Sequence, residues 1–185
     1  MNDDGLPAEA AGVLRFWFQD LTPEQWWRDE NLDQQIGARF LDLYHFLRRN
    51  VPEAWLETPR GVLAAVLVLD QFPRNMFRGT AAAFATDAKA RLLADRAIAR
   101  GFDADLSVDE RLFLYLPFEH SENPAHQERA LALISALGNA QYTDFARAHK
   151  DVIDRFGRFP QRNAALVRVS TPEEAVFLNA GKMKW

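Results

Sequence analysis

Glu119 and His120 stand side by side in Pro117-Phe118-Glu119-His120-Ser121-Glu122, between prolines at 117 and 124. An imidazole exchanges protons near neutral pH, and a nearby carboxylate can orient it. Asp70 opens a second run, Asp70-Gln71-Phe72-Pro73-Arg74-Asn75, at the end of a long apolar stretch. Part of that run returns as Phe159-Pro160-Gln161-Arg162-Asn163, with one residue inserted. Arg158 directly precedes the echo, and His149 lies ten positions before Phe159. Guanidinium forks and amide groups bind carboxylates and phosphates. Gathered round one pocket, Arg74, Asn75, His149, Arg158, Arg162 and Asn163 would bind an anion. Asp70, Glu119 and His120 would be the catalytic candidates.

The same residues have a structural reading. A carboxylate at the C-terminal end of a buried helix opposes the helix dipole and needs a partner. Arg74, one turn after Asp70, suits that role, and the pair would then fix the turn. Asn75 and Asn163 suit caps and turns, and Phe72 and Phe159 suit a core. Glu119 or His120 would cap backbone groups between two helices. A metal site would draw on His120 and His149 with Glu119, Glu122 or Asp70. No H-E-x-x-H or paired E-x-x-H spacing supports one, and no metal is assigned. The chain has no G-x-G-x-x-G, Walker-type loop or G-x-S-x-G elbow, and no cofactor is assigned. Ser121 beside His120 is not triad geometry. His45 and His126 read as surface or packing residues.

These residues need elements to hold them, and the pattern is helical throughout. Ala8 to Phe18 places Leu14, Trp17 and Phe18 on one face. Thr22-Pro23-Glu24-Gln25 is a helix start, followed by the pair Trp26-Trp27. Leu32 to Arg49 carries Ile36, Phe40, Leu43, Tyr44 and Leu47 in register. Thr58-Pro59 starts the next helix, whose body, Gly61 to Leu69, is apolar all round and predicts the central buried element. Thr86 is read as the cap of a helix stopped by Gly101. Ser107-Val108-Asp109-Glu110 is a capping box opening a helix that Pro117 is expected to end. Asn123-Pro124 to Gly138, Phe145 to Phe156, and a last helix from Thr171-Pro172 through Leu178 complete the set. The expected fold is all-α, a single domain over 1–185 of stacked antiparallel helical hairpins. No self-similarity at a period of about 34 residues marks a repeat array.

The totals suit that class. The chain has 185 residues, 48% hydrophobic and 26% charged, which suffices for one sizeable core. A formal charge of −4 argues against nucleic acid as a partner. Arginine outnumbers lysine 18 to 4, which reflects compositional bias apart from a few candidate anion-binding positions. With no cysteine there is neither a disulfide framework nor a thiolate metal site. The acidic start lacks an apolar signal core, and the longest apolar run, Val62 to Leu69, is far short of the roughly 20 residues that span a bilayer. The expectation is a soluble cytoplasmic protein without a membrane partner.

Several of these runs resemble one bacterial family, the domain of unknown function 924. They are Val13-Leu14-Arg15-Phe16-Trp17-Phe18, Val68 to Thr80, Ala83-Phe84-Ala85-Thr86-Asp87, Tyr115 to Glu122, Arg155 to Pro160, and Ser170 to Glu174. The likeness covers almost the whole chain. It implies an all-α domain similar to tetratricopeptide-type helical repeats, and it implies no activity. Gln161 and Val167-Arg168 stand where the family usually has His and Gly-Arg.

Two functional readings follow. In the first, Arg74, Arg158 and Arg162 hold a small anionic molecule, and His120 with Glu119 moves a proton. It requires these distant residues to converge on one cleft. In the second, a helical scaffold binds a peptide or partner protein along an exposed groove that includes Trp26, Trp27 or Trp55.

Overall fold

Thr58 and Pro59 begin the helix at the centre of the molecule. The Thr58 hydroxyl accepts a hydrogen bond from the Gly61 amide at 3.1 Å. Pro59 lacks an N–H where a helix has no use for one. The computed structural model describes residues 5–26 and 30–181, with the Glu30 side chain excepted. Its helices are α1 (Ala8–Arg15), α2 (Glu30–Arg49), α3 (Glu53–Leu56), α4 (Pro59–Val66), α5 (Phe72–Met76), α6 (Asp87–Ala99), α7 (Val108–Glu119), α8 (Pro124–Ser135), α9 (Ala140–Phe156) and α10 (Pro172–Asn179). No strand occurs among the described residues. The fold is all-α, as the periodicity predicts.

α4 is buried on every side from Gly61 to Val66, and the burial continues to Asp70. The backbone does not stop at Leu69. It widens into a π turn over Leu67–Gln71 and runs on as α5. Pro73 lies one turn beyond and has no N–H for the Leu69 carbonyl. The Thr86 hydroxyl supplies the missing donor at 2.5 Å. Thr86 is therefore the residue before α6, but its side chain makes no cap there. Single π turns cluster at functional sites, and this one carries Asp70.

Pro117 does not end its helix. α7 continues to Glu119 with His120 as its C-cap. One backbone bond is forgone at Pro117, but Leu112 to Glu119 are all buried, and that packing holds the last turn. The capping box at Ser107 forms as the sequence predicts, and the helix start read at Thr171-Pro172 closes a capping box as well. α9 starts earlier than Phe145, because the Asn139 side chain accepts from the amides of Gln141 and Tyr142. Thr22 opens only a 3-10 turn, Pro23–Trp26.

α1 packs on α4, and α2 packs on α5. α4 also meets α6 and α7, while α7, α8 and α9 stack in succession. The core is aromatic at its centre: Trp17, Trp26 and Phe72 lie within ring contact of one another or of Phe113. A smaller cluster of Val152, Ile153 and Phe159, with Phe156 and Phe177, seats α10. Trp26 and Trp55 are buried. Trp27 lies outside the described residues.

α7 and α9 run side by side in the same direction, because α8 doubles back between them. Near the start of α7, Asp109 accepts from the Tyr142 hydroxyl at 2.7 Å. At its end, Glu119 meets His149 at 3.1 Å.

Candidate functional site

A cavity of about 500 Å³ opens between α7, α9, the α4–α5 junction and the 3-10 turn Pro160–Arg162. Arg74, Asn75, Glu119, His120, His149 and Arg162 line it. Residues from both copies of the Phe-Pro motif thus meet the Glu119-His120 pair.

Asp70 lies behind His120 and is 2% exposed. Its Oδ2 is 2.8 Å from His120 Nδ1. An ionised carboxylate can only accept, so Nδ1 carries the proton and donates to it. Nε2 is then the nitrogen left for a ligand. Burial alone would push the Asp70 carboxyl up, but Arg74, then His120 and Arg162, hold it below its ordinary value. Burial pulls the His120 imidazole down, Arg74 adds to this, and Asp70 opposes both. The pair is a carboxylate and a neutral imidazole at neutral pH.

The Asp70–Arg74 contact exists, with Arg74 Nη1 3.3 Å from Asp70 Oδ1 and 2.6 Å from the Asp70 carbonyl oxygen. The guanidinium fork itself is taken by Asp87, which accepts two bonds of 2.9 Å. Asp87 is a site residue that sequence reasoning missed. By position, just after Thr86, it is an ordinary first-turn acid.

Arg162 is held differently. Its Nη2 donates to the His120 carbonyl at 2.8 Å, and Nη1 is 3.8 Å from Asp87 Oδ2. The guanidinium sits 4.6 and 4.5 Å from the ring centres of Phe84 and Phe159. Burial, reinforced by the charge of Arg74, pulls it down to about 10, which leaves it cationic at neutral pH. The fork of Arg162 is not filled by a carboxylate.

Glu119 and His149 form a second buried pair. Burial, then the Asp70 charge, pushes the Glu119 carboxyl up to about 8. Burial, then the His120 ring, pulls His149 down to about 3. Both are neutral at pH 7. His149 Nδ1 donates to the Phe145 carbonyl at 2.9 Å and lies 3.1 Å from Glu119 Oε1. Glu119 Oε2 is buried and makes no hydrogen bond.

Asn75 lines the cavity, but its amide donates to Asp33 at 2.7 Å, and Asp33 also accepts both nitrogens of Arg78 at 2.8 Å. Arg158 and Asn163 are not brought to the cavity. Arg158 donates to both oxygens of Glu174, at 2.6 and 2.8 Å, and to the Val169 carbonyl. Asn163 donates to Ser170 at 3.0 Å and to Glu174 at 3.2 Å. These contacts fasten α10 and the segment before it, which is the structural reading of both residues. Among the described residues no group of three or more His, Asp or Glu is placed to hold a metal ion.

The apolar walls were not legible beforehand. Trp26, Phe84, Leu112, Leu116, Tyr142 and Phe145 carry no mark distinguishing a cavity wall from a core.

Fold and site together define an all-helical protein with an internal cavity that is polar at one end. The chain belongs to the family of bacterial proteins of unknown function DUF924, whose model matches residues 13–182. It is similar to the solved structure of a protein of unknown function from Agrobacterium tumefaciens, at 45% identity and a TM-score of 0.89. That likeness covers 94% of this chain and 98% of the other. No curated protein matches it. No helix among the described residues is long and apolar enough to cross a membrane.

Proposed function

We propose that the cavity binds a small organic anion and that His120 accepts a proton from the bound ligand. The observation that carries this reading is the Asp70–His120 bond of 2.8 Å beside a cavity that Arg162 also lines. A neutral imidazole backed by a carboxylate is the arrangement of a general base. The proton leaves the ligand, settles on Nε2, and Asp70 stabilises the imidazolium that results. Arg162 supplies charge to the anion, and its place between two rings limits its motion. Such a base contributes about a hundred- to ten-thousandfold to a proton-transfer step.

The other reading, a tetratricopeptide-like scaffold for a peptide, rested on tryptophans along an exposed groove. Trp26 and Trp55 are 3% and 4% exposed, so neither lines an exposed groove, and Trp27 lies outside the described residues.

The test is a thermal-shift screen of carboxylates and phosphorylated metabolites on the wild type, Arg162→Ala and His120→Ala. A ligand that raises the melting temperature of the wild type alone supports one shared site. A shift of the same size in all three proteins sinks it.

A further inference from the structure

From the lining of this cavity we infer its ligand class: a monocarboxylic acid with an apolar body, bound head-first at Arg162 and Glu119. The inference rests on the anion-binding reading above and narrows it.

Two helices carry it. On α7, Leu112, Leu116, Glu119 and His120 follow the i, i+4, i+7, i+8 spacing of one face, and all four line the cavity. On α9, Tyr142, Phe145 and His149 follow i, i+3, i+7 and line it too. The helices are parallel and in register, since Asp109 meets Tyr142 and Glu119 meets His149. Both faces therefore change from apolar to polar in the same direction. From Leu112 to His120 the rise is about 12 Å. A ligand lying along this gradient meets hydrocarbon first and hydrogen-bonding groups last.

The polar end is electroneutral, so it tolerates one added negative charge better than two. Arg74 and Arg162 are offset there by Asp70 and Asp87. The fork of Arg74 is already filled. That leaves the N–H groups of Arg162 and the carboxyl of Glu119, whose Oε2 is unbonded but sealed from solvent and reaches a ligand once the side chain turns toward the cavity. A protonated Glu119 donates to one carboxylate oxygen while Arg162 donates to the other. A phosphate dianion would add two charges to a site whose own charges cancel. The apolar wall takes a body of roughly six to ten carbon atoms in a cavity of this size.

Isothermal titration with the full chain at pH 7 tests this, using octanoate and 3-phenylpropionate against acetate, octanamide, succinate and glycerol 3-phosphate. Octanoate and 3-phenylpropionate are expected to bind, with affinity rising about two- to fourfold per methylene from butyrate to octanoate. Acetate and octanamide are expected not to bind, and Arg162→Ala should weaken octanoate at least tenfold. Binding of succinate or glycerol 3-phosphate through Arg162, without the tailed acids, overturns the ligand class and leaves the anion pocket standing. If no anion binds, or octanoate binds Arg162→Ala as well as the wild type, both readings fall. The chain-length series keeps the test independent of any wall variant that does not fold.

Discussion

His120 Nδ1 lies 2.8 Å from Asp70 Oδ2, although fifty positions separate them in the chain. The π turn at Leu67–Gln71 carries Asp70, and the end of α7 carries His120. Burial of Asp70 makes this bond the main control on the imidazole's tautomer and aim.

Asp70→Asn removes the charge that opposes the downward pull on His120, so the imidazole should titrate lower still. It also removes one of the two causes that raise Glu119, which should then titrate below about 8. NMR titration of both side chains checks the two directions in one sample. Arg74 keeps Asp87, so the expected loss of stability is modest, about 1–3 kcal/mol.

Glu119→Gln should stabilise the protein at alkaline pH, and its amide can still donate to a ligand carboxylate. Below about pH 4.5 the carboxyl is protonated in both the folded and unfolded states. Between there and pH 8 the unfolded chain ionises and the folded one does not, so stability falls as pH rises. The penalty is complete above pH 8, on the order of 5 kcal/mol. Denaturant melts of wild type and variant at pH 5, 7 and 9 should diverge steadily, with the variant gaining. Parallel curves would refute a neutral Glu119.

His149 acts in the opposite sense. Its folded-state value of about 3 lies below the ordinary 6.5. Its contribution is present above pH 6.5 and is lost as the pH falls toward 3, because the unfolded chain takes up a proton that the buried ring refuses. At pH 5 the cost is about 2 kcal/mol. His149→Gln should therefore show a shallower acid limb in the same melts.

The two arginines of the echo should separate experimentally. Arg74→Ala takes the nearest cation from the buried carboxylate of Asp70 and removes both short bonds to Asp87, and it should cost about 3–5 kcal/mol. Arg162→Ala breaks one hydrogen bond to a carbonyl and should cost about 1–2 kcal/mol while abolishing ligand binding. Equal losses of stability would contradict these assignments.

Arg158→Ala should leave ligand binding intact and loosen the C-terminal segment. Hydrogen bonding by Arg158 and the Thr171 amide holds the Glu174 carboxyl down to about 2. Without Arg158, amide exchange across Pro172–Asn179 should speed up while that of α7 does not change. Loss of ligand binding in this variant would return Arg158 to the site.

Helix positions were legible because their causes are local. Thr58-Pro59, the Ser107 capping box and the Thr171-Pro172 start act over three or four residues, and each opens its helix as read. The errors have non-local causes. Pro117 stays helical because its whole turn is buried. Thr86 gives up its cap because the Leu69 carbonyl, seventeen positions away, lacks a donor.

The sequence by itself determined an all-α chain, a central apolar run leading to Asp70, and a short set of unusual polar residues. It also placed the chain near its family through long motifs. Only the tertiary structure decided which polar residues meet. Arg74 and Arg162 face one cavity, while Arg158 and Asn163 turn to Glu174, and nothing in their spacing distinguishes them. Caps and helical periodicity depend on neighbours within one turn. The partner of a buried charge depends on which helix docks beside it, and that is set by packing of the whole core.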